Sequence, residues 1–121
     1  MANYEWIQTD DTKILFMRVA SEDAEELKAK IDEFISVIHD QPENSLLSIS
    51  DVTGGHFDKK MKAMLKDFVK QNEPYIKMSV IIGLQGLQMV VYNAVLKATG
   101  RTNLVLKNSK EEAVAFLSGQ K

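Results

Sequence analysis

Residues 78–96 read MSVIIGLQGLQMVVYNAVL, nineteen positions without a charge, held between Lys77 and Lys97. The rest of the chain seldom goes more than a few residues without one. A run of this length either crosses a bilayer or lies inside a folded core, and which of the two holds decides the fold. Its composition points to the core. Gly83-Leu84-Gln85-Gly86 interrupts it, and Ser79, Gln88 and Asn93 add polar groups that hydrocarbon would penalise. The first part, Met78-Ser79-Val80-Ile81-Ile82, is short and β-branched, as a buried strand requires. The second part, 87–98, has helical spacing. The reading is therefore a buried strand, a glycine turn and a helix.

Alternation of strands and helices extends outward in both directions. Tyr4 to Gln8 and Lys13 to Val19 are two strands joined by the polar turn Thr9-Asp10-Asp11-Thr12, which predicts a hairpin. Ser21 is placed to cap a helix carrying Leu27, Ile31, Phe34 and Ile38 on one stripe, ending near Gln41-Pro42. Residues 45–50 form a short strand closed by Asp51-Val52-Thr53-Gly54-Gly55. Met61, Met64, Leu65, Phe68 and Val69 stripe a second helix that stops before Pro74. After the uncharged run, residues 103–107 form a last short strand. Ser109 and Glu112 then have capping-box spacing ahead of Ala113, Val114, Phe116 and Leu117. The order is β-β-α-β-α-β-α-β-α, an α/β domain with a mainly parallel sheet and an N-terminal antiparallel hairpin.

Composition limits the functions open to such a domain. At 121 residues the chain makes one domain, 1–121, able to bury about two-thirds of its unfolded surface. A net charge of −2 gives no general attraction to nucleic acid or anionic lipid. With no cysteine there is neither thiolate chemistry nor a cysteine-based metal site. The opening Met-Ala-Asn-Tyr-Glu-Trp lacks the basic and apolar regions of a signal peptide, so the expected location is cytoplasmic, with no transmembrane segment.

Three stretches, Leu-Leu-Ser-Ile-Ser-Asp-Val-Thr-Gly-Gly at 46–55, IIGLQGLQMVVYNAVLKATG at 81–100 and LVLKNSKEEAVAFL at 104–117, carry a likeness to a known family. A strand, Gly-x-x-Gly, a helix ending in Thr-Gly, a strand and a Ser-x-Glu-Glu-Ala helix resemble the STAS domain (sulfate transporter and anti-sigma-factor antagonist). The likeness is closest to its SpoIIAA-like branch, a relative of the CRAL-TRIO lipid-binding fold. The resemblance implies a STAS-like fold and a non-enzymatic binding or regulatory role. At one position the chain departs from it. Switch proteins of the family carry a phosphorylatable hydroxyl after an Asp at the start of the helix following the third strand. Here Asp58 matches that Asp and Lys59 stands in place of the hydroxyl, so the switch does not carry over.

In a mainly parallel sheet, ligands and partners meet the loops at the carboxyl ends of the strands. The candidate binding residues lie there: Asp51, Thr53, Gly54, Gly55 and His56 after the third strand, and Gly83, Gln85 and Gly86 after the fourth. Glycine amides can approach an anion, but a strand-to-helix turn needs glycine in any case. Asp51 and Asp58 could work as an acid–base pair, but they read more simply as a turn residue and an N-cap. His39, at a helix end, reads as structural. No His or Cys pair has metal-ligand spacing, and no metal or cofactor is expected.

The helix 87–98 is apolar nearly all round, more than one buried stripe requires. The excess calls for a cover: a neighbouring helix, a second subunit, a lipid-like ligand or a membrane surface, in that order. Met89 and Tyr92 are its candidate contact residues. Two functions follow. The first is protein–protein interaction through loops 51–57 and 83–86, with a homodimer through helix 87–98 among the candidate assemblies. The alternative is carriage or sensing of a small apolar or lipid-like ligand held between sheet and helices.

Overall fold

The computed structural model describes residues 3–9, 11–55, 57–84 and 103–120. Its elements are β1 (Tyr4–Gln8), β2 (Lys13–Arg18), α1 (Ala24–Ile38), β3 (Leu46–Asp51), α2 (Lys59–Asn72), a 3-10 turn (Glu73–Tyr75), β4 (Ile76–Ile82), β5 (Leu104–Leu106) and α3 (Lys110–Ser118). The strands form one five-stranded sheet in the order β1-β2-β3-β4-β5. β1 and β2 pair antiparallel, with Tyr4 opposite Met17 and Gln8 opposite Lys13. The other pairs are parallel. The expected mixed α/β sheet with an N-terminal hairpin is thus present. The helix expected over 87–98 lies outside the described residues. Among the described residues, no helix is long and apolar enough to cross a membrane.

Each sheet face has its own core. Two successive crossovers that step the same way across a sheet with the same hand must share a face, and α1 and α2 do. Leu27, Ile31, Phe34 and Ile38 of α1 and Met61 and Phe68 of α2 pack with Leu15, Met17 and Val19, Leu46 and Ile76. Phe34 and Phe68 meet with ring centroids 6.1 Å apart. The opposite face carries Ile14, Phe16, Leu47, Ile49, Val80 and Ile82, and α3 covers it with Ala113 and Leu117. Strands buried on both faces read as near-continuous apolar runs rather than alternating ones. That is why the stretch around Val80 carries no charge. Phe16 is sealed by cations: Arg18 lies 5.3 Å and Lys110 Nζ 4.5 Å from its ring. Both also pair with Glu5, at 3.0 and 3.4 Å, so the charged groups over the ring share one carboxylate.

Helix starts follow local hydrogen bonding. The cap of α1 is Asp23, not the expected Ser21: the Glu26 amide donates to Asp23 Oδ1 at 2.9 Å, and the Glu22 amide to Glu26 Oε2 at 3.1 Å. Ser21 is buried and spends its hydroxyl on the Val19 carbonyl, 2.9 Å away. The reason is legible: a glutamate follows Asp23 by three residues, whereas Ala24 stands three after Ser21. The same reciprocal pattern opens α3, as expected. Glu112 N donates to Ser109 Oγ at 3.2 Å and Asn108 N to Glu112 Oε2 at 3.1 Å. The N-cap read at Asp58 is present too, with Met61 N donating to Asp58 Oδ1 at 2.8 Å. β3 and β5 begin one residue later than expected, β3 ends one later, at Asp51, and β5 ends one earlier.

Candidate binding surface at the ends of β3 and β4

The adjacent pairing of β3 and β4 brings their two following loops side by side. Asp51 ends β3, and its carbonyl accepts from Val19 N at 2.9 Å. Its carboxylate folds forward to accept the Thr53 amide at 2.9 Å, an Asx turn. Val52 N reaches across to the Ile82 carbonyl at 3.0 Å and extends the β3–β4 pairing beyond the strands. Gly55 N then returns to the Val52 carbonyl at 3.0 Å and closes a four-residue turn. Gly54, third in that turn, has φ +76°, which a type II turn demands at this position. Thr53 and Gly54, at the tip, are exposed.

Gly83 joins the two loops. It has φ +94°, and a Cβ there would lie 2.4 Å from both the amide nitrogen and Oγ1 of Thr53. Only glycine allows this approach. Asp51, Thr53, Gly54, Gly55 and Gly83 therefore form one continuous surface. Gly55 makes room for the Phe57 ring, 2.6 Å from where its Cβ would stand. Phe57 packs on the α1/α2 core, which anchors the far end of the loop. The other candidates, His56, Gln85, Gly86, Met89 and Tyr92, lie outside the described residues.

The chemistry on this surface is that of recognition groups on a rigid turn. The carboxylates of Asp51 and Asp58 each hold a backbone amide. Lys59, Lys60 and Lys62 follow in the first turns of α2, which has no acidic residue in its first turn. His39 stacks on Tyr75 with ring centroids 4.6 Å apart at the end of α1, a structural contact. Among the described residues, no group of three or more His, Asp or Glu side chains could hold a metal ion.

Two features went unread in the sequence. On the α1/α2 side of the sheet, Ser48 and Ser79 are buried and share a hydrogen bond of 2.8 Å between their hydroxyls. With Ser50 and Asn72 they line a small cavity of about 30 Å³. The signal was the serine at alternate positions of β3, Ser48 and Ser50, which puts both hydroxyls on one face. The second feature is an open groove of about 480 Å³ between α1 and α2, whose apolar lining includes Ile31, Ile35, Met64 and Phe68.

No family model, curated protein or solved structure matches the chain.

Proposed function

We propose that the chain is a non-enzymatic binding or regulatory module of the STAS-like type, and that it engages a protein partner through the joined loops after β3 and β4. The observation that carries this reading is the Thr53–Gly83 contact. It fuses two loops into one surface whose tip, Thr53-Gly54, is exposed on a turn fixed by four backbone or Asx hydrogen bonds. A preformed surface loses little conformational entropy on binding. Location at the carboxyl ends of parallel strands favours the same surface.

The alternative, a carrier of a small apolar or lipid-like ligand between sheet and helices, finds less support. Ligand pockets occupy roughly 300–1,000 Å³. Among the described residues, the cavity between the sheet and α2 is about 30 Å³, and part of its lining is serine and asparagine.

A photo-crosslinking residue at position 53 in the living host, beside a control at exposed Lys28 on α1, tests the proposal. We expect a discrete protein adduct at 53 and none at 28. Native mass spectrometry of the protein purified from its host decides against the carrier reading if no ligand is retained. A stoichiometric lipid-like mass, with no adduct at 53, overturns the proposal.

A further inference from the structure

We infer that the cavity beneath α2 is a built site for one ordered water, which ties Asn72 to the serine pair of β3 and β4. Asn72 closes α2 and is only 4% exposed, yet its Oδ1 has no hydrogen-bond partner among the described residues. A buried amide oxygen left unpaired is costly, and native proteins satisfy nearly all such groups through protein or ordered water. Across the same cavity, Ser48 and Ser79 are 1% and 7% exposed, with their oxygens 2.8 Å apart. Two hydroxyls bring two protons. Their mutual bond uses one, and the other is free to donate.

The groups are complementary to water and to little else. Asn72 Oδ1 needs a donor, and the serine pair has a proton to give. A water both donates and accepts, and it is stable when two to four polar groups surround it. Ser50, on the same face of β3, supplies a further hydroxyl. The cavity volume of about 30 Å³ exceeds the one probe sphere a water requires and falls far short of any organic ligand. The remaining lining, which includes Met17, Phe68 and Ile76, is apolar, so the water is held from one polar side.

A crystal structure of the unaltered chain at about 1.5 Å tests this. The expected result is a water within about 2.7–3.2 Å of Asn72 Oδ1 and hydrogen-bonded to a hydroxyl of Ser48, Ser50 or Ser79. Asn72 Oδ1 paired instead with a protein donor, or density larger than water, overturns the inference. Oxygen-17 relaxation dispersion in solution gives a second readout. Asn72→Leu removes the acceptor and fills the space, so a folded variant should hold one fewer long-lived water than the parent. If circular dichroism shows that it does not fold, Asn72→Met is read in the same way. An unchanged count in a folded variant overturns the inference as well.

Discussion

β3 and β4 present different chemistry on their two faces. Toward α3 they offer Leu47, Ile49, Val80 and Ile82, all aliphatic. Toward α1 and α2 the same strands offer Leu46, Ile76 and Ile81 beside Ser48, Ser50 and Ser79. The aliphatic face is held by area removed from water, which is non-directional. The serine face is held in part by a hydrogen bond whose partners must be in register. So on one face the two strands are held by burial alone, and on the other a hydrogen bond also fixes how they align, although both belong to the same thirteen residues of backbone, six in β3 and seven in β4.

The comparison breaks first at the aliphatic side. Ile49→Ala should cost about 2–5 kcal/mol, because a fully buried side chain is truncated between sheet and helix. Ser50→Ala should cost under about 1 kcal/mol. Urea unfolding with an unchanged slope reads both, and equal costs would erase the distinction between the faces.

At the strand ends, Gly83→Ala should destabilise by about 2 kcal/mol or more, since it combines a positive φ with a Cβ placed on Thr53. Gly54→Ala has the positive φ but open space around it, so about 1 kcal/mol is expected. Thermal melts of the two variants rank them, and the reverse order would mean that the loops do not touch as described.

The serine face is sharpened by a double-mutant cycle. Ser48→Ala strands the Ser79 hydroxyl and should cost about 1–3 kcal/mol. Ser48→Ala with Ser79→Ala should cost less than the sum of the two single changes, because the stranded group is then gone. Additivity would show that the hydroxyls act independently.

The smallest effects lie outside both cores. Asp23→Ala should cost about 1 kcal/mol through loss of the cap on α1. Glu26 is held below the usual carboxylate range, first by the Glu22 amide and next by Lys30. A depressed carboxyl stabilises the fold above its unfolded pKa, and the contribution disappears as pH falls through the lowered folded value. Glu26→Gln should therefore flatten the stability profile slightly below the ordinary glutamate range, near 4.5. A variant whose melting temperature follows the parent's at every pH would remove Glu26 from that account.

What the sequence disclosed follows the strength of each local signal. A charge-free β-branched run ending at a glycine turn favours a buried strand, so β4 was legible from Met78 onward, while its first two residues, Ile76 and Lys77, were not. Capping boxes were legible where a glutamate stood three residues on, as at Ser109. At α1, Ser21 and Asp23 are both competent cap residues, and only the spacing to Glu26 separates them. The joined loops were half legible: Asp51, Thr53, Gly54 and Gly83 are turn residues at strand ends, but their contact depends on which strands are neighbours. The polar cavity was not legible. Ser48 and Ser79 are thirty-one positions apart and meet only through β3–β4 register. Asn72 read as the last residue of a helix, with no hint of which way it turned.

α3 has a consequence for how the molecule is made. Among the described residues, its nine residues, Lys110–Ser118, cover the Leu47–Ile82 face and follow every strand in chain order. Until α3 docks, the aliphatic sheet face that Ala113 and Leu117 pack on lacks that cover. In that undocked state the folding chain displays the kind of surface that chaperones bind and that neighbouring chains can share. Mutations that weaken Ala113 or Leu117 should thus be felt as lost yield at synthesis before they are felt as lost stability in the finished protein.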